Sequence, residues 1–399
     1  MVATTQQKKS RPGYKQTDVG VIPEDWEVKK LRDCCKRITD GTHDTPTPID
    51  HGVPFLTAIH VKENSVDFDN CYFITQDVHD VIFKRCNPER GDVLLVNIGA
   101  GVATTALVNV NYEFSLKNVA LLKPDPNQLT GSYLNYYQSL AKSRIVTSLS
   151  TGGAQPFLSL RQIGDLEIAL PGRAEQASIT AVLAETEGLI YRLDELIAKK
   201  AAIKQGTMQQ LLTGKRRLPG FSGEWEPRAL GEIATANKGS QLRNSEMSEH
   251  GRFAHLNGGI SPSGYADKSN ALGDTIAISE GGNSCGYVQF MSQPYWCGGH
   301  CYSVIPNGID NRFLYQALKG EELSIMGLRV GSGLPNVQKT ALLAFKLRCP
   351  KGREEQSAIA AILFDMDADI AALQVRRDKA QALKQGMMQQ LLTGNIRLI

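Results

Sequence analysis

The chain carries its own ending twice. KQGTMQQLLTG at 204–214 returns as KQGMMQQLLTG at 384–394, displaced by 180 residues. Aligned without a gap, Arg173 to Leu218 and Arg353 to Leu398 share 22 of 46 positions. A second-half ending repeated inside the first half makes the chain two similar units in tandem. Such a pseudo-symmetric monomer does once what a symmetric dimer does: it presents two separate reading heads.

The units share further landmarks. Each begins near a tryptophan, IPEDWEVKKLRD around Trp26 and FSGEWEPRALGE around Trp225. GDVLLVNIGAGVATTALV from Gly91 and GDTIAISEGGNSCGYVQF from Gly273 both read as strand, glycine-rich turn, strand. TGGAQPFLS at 151–159 and GSGLPNVQ at 331–338 follow, and in each the proline (Pro156, Pro335) precedes by 15 residues another (Pro171, Pro350) that marks the start of the repeated tail.

The tails read as helices. From Glu175 to Leu212 there is no proline, and Ile179, Leu183, Thr186, Ile190, Leu193 and Ile197 alternate steps of four and three, a coiled-coil seam. Ile359, Leu363, Met366, Ile370 and Leu373 keep the same register. Acids fill the early part of each helix (Glu185, Glu187, Asp194 and Glu195; Asp365, Asp367 and Asp369). Bases fill the late part (Lys199, Lys200 and Lys204; Arg376, Arg377, Lys379 and Lys384). Two such helices attract when antiparallel and repel when parallel.

Composition narrows the class. Hydrophobic content of 42% with 21% charged residues fits globular domains with real cores. No apolar run reaches the roughly 18–20 residues of a membrane span. The stretch MVATTQQKKSRPGYKQ lacks the apolar segment of a secretory signal, so residues 1–20 are expected to form a flexible arm. The eight cysteines then read as reduced thiols of a cytoplasmic protein. A net charge of +3 permits nucleic-acid binding without requiring it.

Traces of catalysis are absent from the motifs. Asn87-Pro88-Glu89-Arg90 is the nearest approach to the loop with which adenine-N6 methyltransferases hold a flipped base, and it fails. Gly-Lys in LLTGKRR at 211–217 lacks both the upstream glycine and the following hydroxyl residue of a phosphate loop. Gly99-Ala100-Gly101 is followed by a strand where dinucleotide binding requires a helix. Cys297, His300 and Cys301, with Cys285 upstream, invite a zinc reading, but structural zinc sites pair two clusters across a longer separation. Packed thiols are the simpler reading, and no metal site is assigned.

Taken together, YKxTxxGxIPxxW at Tyr14–Trp26, TDGTHDTP at 39–46, GVPFL at 52–56, the two glycine-rich strand pairs, RAEQ at 173–176 with REEQ at 353–356, and the duplicated KQGxMQQLLTG resemble the specificity subunits of type I restriction–modification systems. The resemblance implies an α+β fold: two tandem pseudo-symmetric target recognition domains joined by two long antiparallel coiled-coil helices. Its boundaries on this chain are the arm at 1–20, a first recognition domain at 21–171, a spacer helix at 172–214, a second recognition domain at 215–350 and a C-terminal spacer helix at 351–399. It implies a non-catalytic subunit that binds double-stranded DNA, each domain reading one half of a split, asymmetric sequence. The helices would set the gap and dock two methyltransferase subunits, with restriction/translocase subunits joining them. The chain itself would bind no cofactor; S-adenosylmethionine, ATP and Mg would belong to the partners. Two rivals remain: the specificity subunit of a type IIB-like system, and a coiled-coil scaffold whose mixed domains bind protein.

Candidate DNA contacts follow from residue chemistry. Thr42, His43 and Thr45 offer hydroxyls and a ring nitrogen in a turn-rich loop, although an ordinary loop explains them equally well. Asn97 in one half, and Glu280 and Asn283 in the other, sit at glycine-rich turns where backbone can approach a ligand closely. Gln155 and Asn336 occupy matching loops and carry amides suited to adenine. Lys215 and Arg216 close a run without acids from 199 to 217, suited to phosphates or to a solvated helix end. Met208, Leu211 and Leu212, with Met388, Leu391 and Leu392, form an apolar patch at helical spacing; it serves either as packing on the adjacent domain or as a docking patch for identical partners.

Overall fold

The computed structural model describes residues 11–149 and 156–398. The chain divides into two compact units. One runs to Arg192 and is completed by the residues from Arg377 onward; the other is Leu193–Arg376.

Both long helices form, Arg173–Leu211 and Arg353–Leu391, each of 39 residues. Pro171-Gly172 and Pro350-Lys351-Gly352 precede them, since a chain leaving proline enters a helix freely but a helix cannot run back through it. They end alike. Gly214 and Gly394 both take φ +70°, and their N–H groups donate to Leu211 O and Leu391 O at 3.4 and 3.2 Å. A left-handed residue just past a helix is the usual glycine stop. Here glycine is required twice over, because a Cβ at 394 would lie 2.4 Å from Pro23 Cδ.

The units repeat one sheet plan. In the first unit a four-stranded antiparallel sheet has the order Thr105–Leu107, Val93–Val96, Val119–Pro124, Cys35–Asp40. In the second the order is Val288–Met291, Thr275–Ser279, Cys301–Pro306, Ala234–Lys238. Leu121 faces Leu94 in one and Val304 faces Ile276 in the other. Every residue of Val93–Val96 and of Thr275–Ser279 is buried, and the buried faces read as the apolar runs Val93–Val96 and Ile276–Ile278. A three-stranded sheet follows in each unit, with one parallel pair: Val53–Leu56 beside Ser115–Leu116, and Phe253–Leu256 beside Trp296–Cys297. A two-stranded ribbon then leads to each long helix, Glu27–Lys30 with Glu167–Leu170 and Trp225–Ala229 with Lys346–Pro350.

Each unit takes the beginning of one long helix and the end of the other. In the first, Ile179 and Leu183 share a core with Trp26, Tyr133 and the returning Met388, Leu391 and Leu392. In the second, Ile359 and Leu363 share a core with Trp225, Phe313, Met208 and Leu211. Antiparallel pairing is visible within each unit. Lys384 Nζ lies 2.6 Å from Glu187 Oε1, and Lys204 Nζ lies 2.5 Å from Asp367 Oδ1, with Lys200 on Asp369 at 2.8 Å.

The duplicated Glu-Gln of RAEQ and REEQ is structural. Gln176 accepts from Thr130 N at 3.0 Å and donates to the carbonyls of Gln128 and Pro171. Gln356 accepts from Asp310 N at 2.8 Å and donates to Pro350 O. Each buried amide therefore ties the start of a long helix to the start of a domain helix, Gly131–Leu149 or Asn311–Gly320, and satisfies backbone groups that would be costly to leave unpaired.

Part of the expected arm is ordered. Tyr14–Thr17 pairs with Gly20–Pro23, and the Tyr14 hydroxyl donates to Gly394 O at 2.9 Å.

Candidate nucleic-acid interface

In the first unit the loop after Asp40 is pinned by backbone. Thr42 N donates to Leu116 O at 2.9 Å and Asn118 N to Thr42 O at 3.2 Å. Gly41 admits no side chain, because its Cβ would meet Leu116 O at 2.0 Å. Thr42 Oγ1 is already engaged, accepting from Asp44 N at 3.1 Å. His43 is exposed, with Nδ1 2.8 Å from Asn118 Oδ1 and Nε2 3.2 Å from Asp40 Oδ2. Arg85 donates to the other oxygen of Asp40 at 2.6 Å, and Lys117 donates to the Thr45 hydroxyl. The loop thus brings His43 and Arg85 onto one carboxylate, with Asn118 on His43 and Lys117 on Thr45. Arg85, Lys117 and Asn118 escaped sequence reasoning because they arrive from a distant helix and turn.

The glycine-rich turns correspond across the units. Gly99 N donates to Pro156 O at 3.0 Å, and Gly282 N to Pro335 O at 2.9 Å. Leu158 N meets Asn97 O and Val337 N meets Glu280 O, both at 2.8 Å. Asn97 and Glu280 are therefore equivalent positions with different surroundings. Asn97 is only 4% exposed, whereas Glu280 lines an open cleft. Gln155 lies outside the described residues.

The second unit holds an open cleft of about 530 Å³ lined by Lys238, Asn257, Glu280, His300, Leu334 and Asn336. Glu280 accepts from Lys238 Nζ at 2.6 Å and from the Tyr302 hydroxyl at 3.1 Å. Burial, and then the Glu280 charge, push the Tyr302 hydroxyl up to about 12. Asn336 is half-buried and its backbone pairs with Gly281, while Asn283 is exposed beside them. Where the first unit has Asp40, the second has Lys238, so equivalent strand positions carry opposite charge.

The profile of the type I restriction modification DNA specificity domain matches residues 23–204 and again 222–381. The chain belongs to that family. It is a DNA sequence-specificity subunit of a type I restriction–modification system. It is 24% identical over 413 residues, 96% of this chain and 97% of the relative, to the putative type I restriction enzyme MjaX specificity subunit of Methanocaldococcus jannaschii. A putative type I specificity subunit of Mycoplasma pneumoniae is 32% identical over 155 residues, 38% of this chain and 41% of the relative. In fold it resembles the crystal structure of the type I S subunit from M. genitalium, with a TM-score of 0.68 at 18% identity, covering 92% of this chain and 96% of that one. Specificity subunits are generally non-catalytic and act within a complex with DNA and other subunits.

On this specificity subunit the repeated apolar patch is core. Met208, Leu211, Met388, Leu391 and Leu392 are at most 9% exposed, and Leu212 packs against the same core as Met208. These side chains fill the cores of the two units. Of the basic run, Lys200 and Lys204 are taken by acids of the other helix and Arg217 by Glu355 at 2.6 Å, while Lys215 and Arg216 are exposed just past the helix end. Cys297 and Cys301 are buried and His300 is 63% exposed, so the three side chains do not converge. The hydrogen bond with the neighbouring Cys297 thiol, and then burial, hold Cys301 far above the usual thiol range. Among the described residues no helix is long and apolar enough to cross a membrane.

Proposed function

We propose that each unit reads one half of a split, asymmetric DNA sequence, and that the paired long helices set the number of unread base pairs between the halves. On this reading the helices also carry two methyltransferase subunits, which restriction/translocase subunits join on the cell's own DNA in the cytoplasm. Adenine methylation with S-adenosylmethionine, ATP-driven translocation and Mg-dependent cleavage belong to those partners; this chain supplies the address.

One observation carries the reading. The two units repeat the same sheet order and the same helix-start clamps, yet the equivalent strand ends differ in chemistry: Asp40 with Arg85 and His43 in one, Lys238 with Glu280 and His300 in the other. One scaffold used twice with different faces fits two different half-sites. On this reading His43, Thr45, Asn283 and Asn336 meet base edges, and Lys215 and Arg216 hold phosphates, which position the duplex without reading it.

Genome-wide mapping of modified adenines in a host carrying this gene with its partners tests the reading. The expected result is one bipartite motif with two dissimilar halves and a fixed gap. A continuous motif, or two identical halves, would contradict it.

A further inference from the structure

The cleft of the second unit holds a carboxylate that is used on one side only. Glu280 follows directly on the buried strand Thr275–Ser279, and its side chain is 12% exposed. Both donors that reach it close on the same oxygen, Lys238 Nζ at 2.6 Å and the Tyr302 hydroxyl at 3.1 Å from Oε1. Tyr302 divides its one proton between that oxygen and the carbonyl of Val337, also at 3.1 Å. His300 Nδ1 lies 3.9 Å from Oε2, too far for a hydrogen bond, and among the described residues no hydrogen-bond donor meets that oxygen. A carboxylate held on one oxygen and open on the other is a fixed acceptor, since it cannot turn to pair itself.

We infer that Glu280 Oε2 is the acceptor with which the second unit reads a cytosine, an assignment that rests on the two-head reading above. An ionised carboxylate only accepts hydrogen bonds. In the major groove guanine shows N7 and O6 and thymine shows O4, all acceptors that repel it; adenine sets its amino group beside the acceptor N7. Cytosine alone presents an amino donor with no acceptor next to it. The guanine of the same pair then offers O6 and N7 to the ammonium of Lys238 beside Glu280, which spends one of its three protons on Oε1. The first unit does not repeat the arrangement, because the equivalent Asn97 is buried.

Glu280→Gln keeps an oxygen for Lys238 and Tyr302 and removes the charge, so the fold is retained. Adenine-methylation mapping of the assembled complex, wild type against this variant, is the test. Exchange of residues 222–350 identifies which half-site belongs to the second unit. That half-site contains a C·G pair in the wild type, and in the variant discrimination at that pair alone falls roughly tenfold, the scale of one mismatched pair. Unchanged discrimination at every position overturns the assignment and leaves the two-head reading standing. So does a wild-type half-site without a C·G pair, which decides the matter even if the variant does not accumulate. Relaxation of both half-sites together overturns the two-head reading and the assignment with it.

Discussion

Arg397, two residues before the C-terminal one, closes on Glu175 at the start of the first long helix. Its Nε lies 2.6 Å from Oε1 and its Nη2 2.8 Å from Oε2. Trp26 Nε1 donates to the same carboxylate at 3.0 Å, and Arg397 also holds Asp25, whose carboxyl it keeps below its usual range. The second unit repeats the fork, with Arg217 on Glu355 at 2.6 and 2.7 Å. Each recognition domain is thus closed by the tail of one helix on the head of the other.

Removing Arg397 leaves Glu175, 5% exposed, without its counter-charge. Arg397→Ala should therefore cost about 3–5 kcal/mol, the range for breaking a buried pair from one side. Hydrogen exchange should show lost protection around Ile179–Leu183 and Met388–Leu392 and unchanged protection at Ile359–Leu363. Arg217→Ala should give the reverse pattern. Equal loss in both units after either change would contradict this division.

The helix pair should respond to charge exchange. Lys384 and Tyr136 both donate to Glu187, and Lys204 and Gln316 both donate to Asp367. Lys384→Glu should destabilise the first unit by about 1 kcal/mol, the upper end for surface pairs, because this lysine is only 14% exposed. Glu187→Lys in the same chain should recover part of the loss. A double variant no more stable than the single one in chemical denaturation would remove the pair from the account.

Alkali should loosen the second unit through a thiol. Burial pushes Cys349 up to about 11 from an unfolded value of 9.0. A raised folded pKa means its contribution is complete below pH 9 and is lost as pH rises towards 11. Denaturation curves between pH 8 and 11 should fall by about 1 kcal/mol per pH unit above 9 on its account. Cys349→Val should flatten that slope; an unchanged slope would assign it to other groups.

Much of this was legible in the sequence. The repeat, the proline before each helix, the glycine after it and the apolar seam are local signals, and each reports one element. What was not legible is closure. KQGxMQQLLTG has the spacing of a buried stripe whether it packs inside or outside, and only the return of Met388 and Leu391 to Trp26 distinguishes the two. Arg217 and Arg397 were visible as repeated residues, but nothing local tied them to Glu355 and Glu175. Asn97 shows the same limit: its glycine-rich neighbourhood marks a turn but not which side chains the turn buries.

If the helices act as a ruler, they must be lengthened together, because each is anchored in both cores. Four residues inserted after Tyr191 and four after Ala371 add about 6 Å to each helix. The heptad accepts four-residue insertions as stutters. Mapped motifs should keep both half-sites while the gap grows by one or two base pairs at ~3.4 Å each. Altered bases with an unchanged gap would take the spacing role from the helices.

The two-head claim is tested most directly by exchanging residues 21–171 for the same segment of another specificity subunit and mapping methylated adenines. The account predicts that one half-site is replaced by that of the donor, while the other half-site and the gap stay as they were. A motif in which both halves change would contradict it.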